Sequence, residues 1–241
     1  MKVAVVTGAS SGVGKALAEN LIADGWKVYG VSRTDPGFTN EHFVWRKCDL
    51  ARPSDIPKKL IVEEPTIDLL VSNAGVAFTQ PAADVSVESY AEMYDVNVRA
   101  PMLVVALLRD RIKGATVITI SSVSDRLAGE GYALYCSSKA ANTRYFETLA
   151  LELEDATVIS LSPDYIDTPM LRKLQEGQDF DWGQALKSKE IAELVRDLES
   201  GKTNVESGST VIVVNDQMIE DLQSAEKLYG YNVSNGILTR L

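Results

Sequence analysis

Residues 3–22 read VAVVTGASSGVGKALAENLI, and the order of residue types in this stretch decides the fold class. Val3 to Val6 is a short apolar run of strand length, followed by the glycine- and serine-rich segment Thr7-Gly8-Ala9-Ser10-Ser11-Gly12-Val13-Gly14. Ala16, Leu17, Leu21 and Ile22 then recur at helical spacing. Strand, glycine loop and helix in succession place free backbone N–H groups at a helix start, where they attract an anion, and the glycines let the backbone approach it closely.

Outward from this unit, apolar runs and helical patterns alternate. Strands are expected at Lys27 to Val31, Phe43 to Lys47, Ile67 to Ser72, Thr116 to Ile120, Thr157 to Leu161 and Thr210 to Val214. Helices are expected at Val87 to Leu108, Ala133 to Leu153 and Lys187 to Leu198, and only a truncated one between Ala51 and Thr66. Such alternation implies right-handed crossovers and an α/β fold: a Rossmann-type doubly wound parallel sheet of about seven strands with helices on both faces. Nothing reads as a linker, so residues 1–241 are expected to form one domain, with a variable substrate lid at about 165–200. Ligands on such sheets bind beyond the carboxyl ends of the strands, so the residues that follow each strand carry the functional reading.

The bulk properties narrow the class of function. A formal charge of -10 leaves no basic stripe for phosphate backbones, which argues against nucleic acid and anionic membrane as partners. Cys48 and Cys136 are the only cysteines, too few for a disulfide framework and not spaced as metal ligands, and no metal site is expected. His42 is the only histidine and lies off every motif. With no apolar run of membrane-spanning length, the chain reads as soluble and cytoplasmic.

The spacing of the glycine loop differs from G-x-G-x-x-G and resembles the T-G-x-x-x-G-x-G loop of the short-chain dehydrogenase/reductase family. Further motifs carry the resemblance through nearly the whole chain. Asp49-Leu50 resembles the family's adenine-contacting acidic position, Asn73-Ala74-Gly75 its N-A-G motif, and Pro163 to Met170 the loop that closes over nicotinamide. Asn97, Ser122, Tyr135 and Lys139 match its catalytic tetrad one by one. The resemblance therefore implies a dinucleotide held by Gly8, Ser10, Ser11, Gly12, Val13 and Gly14 at the pyrophosphate. It places Asp49, Leu50, Asn73, Ala74 and Gly75 along the dinucleotide, and Tyr135, Lys139, Pro163, Ile166 and Thr168 near its nicotinamide half. At the end of the second strand, Arg33, with Ser32 as a helper, suits a 2′-phosphate through charge-assisted hydrogen bonds. NADP(H) is thus expected over NAD(H), and Asp35, two residues on, is the counterargument.

Tyr135 and Lys139 are four apart in a helical segment and share a face. Ser122 follows a strand at its carboxyl edge. Reduction of a carbonyl puts negative charge on its oxygen, so a proton donor and a second hydrogen bond are needed there. Tyr135 is assigned as general acid in reduction and base in oxidation, with Ser122 holding the oxygen. Lys139, together with a positive nicotinamide, is expected to lower the tyrosine pKa. Ser122, Ser124, Tyr135 and Tyr165 are expected against the substrate, in a pocket built from the Ser124 to Gly131 loop, Tyr132 and the region from Tyr165 to Trp182. Phe180 and Trp182 suggest an apolar lid or simple core packing.

Pro101 has no N–H to bond the Asn97 carbonyl, so that carbonyl is expected to be open and linked by water to Lys139 in a proton relay. Apolar faces at Tyr94 to Leu108 and Ala140 to Leu153 suggest a homodimer or homotetramer. The chain departs from the family at Asp164, where glycine is usual, and at Asn215-Asp216-Gln217-Met218, where a glycine pair is usual. The reading is an oxidoreductase acting between NADP(H) and a small carbonyl or alcohol substrate. A catalytically silent dinucleotide sensor and a redox-neutral dehydratase or epimerase on the same fold are the alternatives.

Overall fold

All five residues of β1 (Val3–Thr7) are buried, as a strand covered on both faces requires. The structure, a computed structural model, describes residues 1–214 and the strands β10 (Tyr229–Asn232) and β11 (Ile237–Arg240), which pair antiparallel. Around β1 run β2 (Lys27–Ser32), β3 (Phe43–Lys47), β4 (Leu69–Ser72), β5 (Thr116–Ile120), β6 (Thr157–Pro163) and β9 (Thr210–Val213). These form a seven-stranded parallel sheet in the order β3-β2-β1-β4-β5-β6-β9. The chain winds outward from β1 to β3, then returns and winds the other way from β4. The crevice beyond the carboxyl ends of β1 and β4 is the topological switch point, and the glycine loop and Asn73 both lie there.

The strand alternation explains the two cores. Val3 and Val5 face one side, packing with Tyr29, Leu70, Val104, Leu108 and Phe146. Ala4 and Val6 face the other, with Leu17, Leu21, Ile191 and Val195. The helices are α1 (Gly12–Ala23), α2 (Ile56–Lys59), α3 (Val87–Tyr94), α4 (Ala100–Leu108), α5 (Ala133–Glu152), α6 (Pro169–Leu174) and α7 (Ser188–Glu199). α7 buries Ile191, Ala192, Val195 and Leu198, although it falls within the stretch expected to be variable. The short crossover after β3 holds one 3-10 turn at Pro53–Asp55 and the single turn of α2.

The helix expected from Val87 to Leu108 is interrupted. A π-helical turn, Asp95–Arg99, separates α3 from α4 and ends just before Pro101. The proline cannot supply the regular N–H to Asn97, and a wider turn accommodates the missing bond. α6 and the two-residue strands β7 (Ile166–Asp167) and β8 (Leu186–Lys187) carry too short a pattern to have been foreseen. Asn215 to Met218 and the side chains of the tail lie outside the described residues.

Candidate active site

Gly8 turns the chain at φ +70, and its N–H donates to the Val31 carbonyl (2.8 Å). The Thr7 hydroxyl accepts from the N–H groups of Asn73 (2.9 Å) and Ala74 (3.0 Å), and the Asn73 amide donates to the Thr7 carbonyl (2.8 Å). The carboxyl ends of β1 and β4 are thereby laced together, so Asn73 braces the glycine loop as well as lining the cavity in front of it. Gly14 explains why the third glycine is needed, because a Cβ there would come within 2.5 Å of both the Gly8 carbonyl oxygen and the Asn73 amide. The Thr7 hydroxyl, to which the sequence motif assigns no role, is the centre of this joint. α1 starts after Ser11, whose side chain makes no capping bond, and Ser11, Gly12 and Val13 at this helix start line the cavity.

At the far end of the cavity Arg33 is exposed and lines the wall. Ser32 lines it too, but its hydroxyl donates to the Thr34 carbonyl (2.7 Å) and accepts from Trp45 Nε1 (3.0 Å). Its proton is committed locally. Asp35 is outside the lining and accepts from the Gly37 N–H (2.8 Å), capping its own turn. Asp49 and Leu50 line the adjoining wall.

At the near end the sequence-identified residues converge. Ser122, Tyr135 and Lys139 all face the same cavity, with Gly75, Pro163, Ile166 and Thr168 across from them. Lys139 is buried, and its ammonium donates to the Ile120 carbonyl (3.0 Å). An ammonium has three donors, so two remain for oxygens in the cavity. Its Nζ lies 5.7 Å from the centre of the Tyr135 ring. Burial brings the Lys139 pKa down to about 8, with the Asp125 charge opposing. Burial also pushes Tyr135 up to about 12, against a hydrogen bond from Ser122 that favours the phenolate. The chain's own groups leave Tyr135 above its ordinary value, because desolvation of the phenolate outweighs the Ser122 bond. At neutral pH Tyr135 holds its proton, the state a donor requires.

Asn97 is buried behind this group. Its side chain grips the Val76 backbone on both sides, accepting from N–H (2.8 Å) and donating to C=O (2.9 Å), and reaches Ser138 Oγ (3.0 Å). The expectation of an open Asn97 carbonyl is corrected: it accepts from Asn142 Nδ2 (3.0 Å), and Asn142 Oδ1 accepts from the Thr119 hydroxyl (2.8 Å). The proline does free this carbonyl, but a side chain one turn beyond Lys139 takes it. Asn142 was missed. Its signal was a polar residue at helical spacing from Tyr135 and Lys139, on the face that packs inward.

The remaining wall comes from the loops. Ser124 and Tyr165 line it, and Ser124 N–H donates to Ser122 Oγ (3.2 Å). Phe180 and Trp182 do not line the cavity: Tyr165, Phe180 and Trp182 stack edge to face behind it, with Arg172 over the tryptophan. Burial raises the Asp164 pKa. The whole cavity measures about 820 Å³ and runs from Arg33 to Tyr135. Its length, the uncapped helix start midway and the free Lys139 protons suit an extended ligand with an anionic centre and hydroxyl groups near the lysine.

A family model described as short chain dehydrogenase matches residues 2–179. The chain is 28% identical over 232 residues to the 3-oxoacyl-[acyl-carrier-protein] reductase FabG of Salmonella typhimurium, with 88% of this chain and 95% of that protein covered. Among solved structures, a short chain dehydrogenase family protein from Francisella tularensis superposes with a TM-score of 0.82 at 28% identity, covering 88% of this chain and 97% of that one. A 3-ketoacyl-(acyl-carrier-protein) reductase from Brucella melitensis, complexed with NADH, gives 0.78 at 26% identity, covering 88% and 96%.

Proposed function

This chain belongs to the short chain dehydrogenase family, and on that premise we propose that it is an NADP(H)-dependent oxidoreductase acting on a small carbonyl or alcohol. The observation that carries the reading is convergence: Ser122, Tyr135 and Lys139 share one cavity with an uncapped helix start and, at its far end, Arg33. When bound, the nicotinamide supplies or accepts the hydride. The chain's residues do the rest. The first-turn N–H groups of α1 would hold the pyrophosphate, and Arg33 would hold a 2′-phosphate. Lys139, with donors left over beside the Ile120 carbonyl, would bond the nicotinamide ribose. In reduction, Ser122 orients the carbonyl oxygen and Tyr135 gives it a proton as negative charge develops. In oxidation Tyr135 takes that proton back. Asn97 holds the Val76 backbone, and with it the Gly75 wall opposite Lys139.

NADPH consumption against a panel of ketones and aldehydes tests the reading. The expected result is carbonyl-dependent loss of NADPH absorbance. Turnover of a substrate without net cofactor change would favour redox-neutral chemistry, and cofactor binding with no turnover at all would favour a sensor. For the cofactor, Arg33→Ala should remove most of a roughly 10- to 100-fold preference for NADPH over NADH, the size of a charged hydrogen bond. Equal binding of the two cofactors by the wild-type protein would refute the assignment of Arg33.

A further inference from the structure

One buried charge close to the site has no part in the reading above. Asp125 sits in the 3-10 turn Val123–Asp125 that follows Ser122, and its side chain is only 1% exposed. Three donors from three places converge on it. Oδ2 accepts from Thr143 Oγ1 on α5 (2.7 Å) and from Ser162 Oγ on β6 (2.6 Å), and Oδ1 accepts from Arg126 Nε in the same turn (2.9 Å). The Asp125 N–H donates to the Ser122 carbonyl (2.9 Å), so the backbone of the residue that would hold the substrate oxygen is bonded to the backbone that carries the carboxylate. On the other side Thr143 Oγ1, its own proton given to Asp125, accepts from Ser121 Oγ (2.6 Å), the neighbour of Ser122.

We propose that Asp125 is a positioning residue: it ties the Ser122 turn to α5 and β6, and its buried carboxylate is one part of the charge environment of the Tyr135–Lys139 pair. The proposal rests on the assignment of Ser122 and Tyr135 as the reacting pair. A turn that needed only packing would be served by an apolar side chain, because a buried carboxylate carries a desolvation cost that only matched donors offset. Here the donors are matched, and each belongs to an element that carries part of the site. Ser162 immediately precedes Pro163, and Thr143 lies one helical turn beyond Lys139. The charged and titratable groups facing Tyr135 are Cys136 and Lys139 on α5, Tyr132 ahead of it, and Asp125, whose charge Arg126 offsets in part. Among them Asp125 is the acidic side chain, which favours the ammonium of Lys139 and disfavours the phenolate of Tyr135.

The test is Asp125→Asn, which keeps the shape and removes the charge. In carbonyl reduction kcat should fall about 10-fold or more with little change in KM for NADPH, the pattern of misplaced reacting groups. The alkaline limb of the kcat profile, where Tyr135 loses its proton, should move down by about half a pH unit or more. In a Ser122→Ala background the same substitution should cost no more than about 3-fold, because the residue it positions is already gone. A wild-type kcat and profile, or an equal loss in both backgrounds, would overturn the proposal. If Asp125→Asn fails to fold, Thr143→Val and Ser162→Ala remove the tethers and keep the charge. Each should lower kcat several-fold without moving the alkaline limb, and wild-type kcat in both would overturn the proposal equally. A readout independent of turnover is the ultraviolet titration of Tyr135, taken as wild type minus Tyr135→Phe. Its midpoint should fall in Asp125→Asn, or in Asp125→Ser if the first variant does not fold, and an unmoved midpoint refutes the electrostatic claim even if no carbonyl is ever turned over. Absence of turnover by the wild type, by contrast, counts against the assigned reaction and not against this coupling.

Discussion

Asn142→Ala should destabilise the protein by about 2 to 4 kcal/mol, and the structure sets out why. Asn142 is 4% exposed and satisfies two buried groups, the Asn97 carbonyl and the Thr119 hydroxyl. The Thr119 hydroxyl has a second acceptor in the Ser72 carbonyl (3.4 Å), so its loss is partial. The Asn97 carbonyl lies ahead of Pro101, which offers no N–H, and is left without this donor. One orphaned buried carbonyl costs about 1 to 3 kcal/mol, and the weakened hydroxyl bond with the lost packing adds about another 1. In a chain of this length that is a fall in Tm of roughly 5 to 12 °C. Asn142→Asp should be at least as harmful at neutral pH, because it turns a carboxylate oxygen toward a carbonyl oxygen. Thermal and urea unfolding of the three proteins measures both. An unchanged midpoint in Asn142→Ala would mean that the Asn97 carbonyl does not depend on Asn142 for its partner, and would refute the reasoning.

Two further outcomes follow from burial. The Lys139 pKa is depressed to about 8 in the folded chain from its ordinary 10.5, so the unfolded chain binds the extra proton between those values. Stability should therefore rise with pH across that window and be lost as pH falls through about 8, by about 1 to 3 kcal/mol relative to Lys139→Met. Urea midpoints for the two proteins at about pH 7.5 and about pH 9.5 read it, and parallel behaviour would show that Lys139 is not desolvated. On α4 and α5, Leu103, Leu107 and Leu151 remain exposed, so light scattering should report a dimer or tetramer that Leu107→Glu weakens. A wild-type monomer at micromolar concentration would remove that expectation without touching the mechanism.

The fold was legible because its signals are local. Apolar runs such as Val3 to Val6 and Ile67 to Ser72 are buried on both faces, and helical spacing after Gly12 marks α1. β4 nevertheless begins at Leu69, because Ile67 N–H bonds the Arg111 carbonyl and precedes the ladder. Ser122, Tyr135 and Lys139 were readable from spacing and from the family resemblance, and they lie on one cavity. What sequence left open is pairing at a distance. Nothing in the letters shows that the Ser32 proton goes to Thr34, that Asn142 reaches the Asn97 carbonyl, or that Phe180 and Trp182 stack behind Tyr165. Pro101 announced a break in its helix, but the form of that break, a π turn, depends on which neighbour takes the freed carbonyl.

The central claim is that Tyr135 is the proton donor, and Tyr135→Phe tests it most directly. The substitution removes one hydroxyl and leaves the ring that packs beside Lys139. With a carbonyl substrate found by the NADPH screen, single-turnover reduction by the variant should be slower by at least about 100-fold, the lower range for lost acid–base catalysis. NADPH affinity, measured by titration, should stay within about 3-fold, which shows that the cofactor site is intact. Near-normal reduction by Tyr135→Phe would contradict the account.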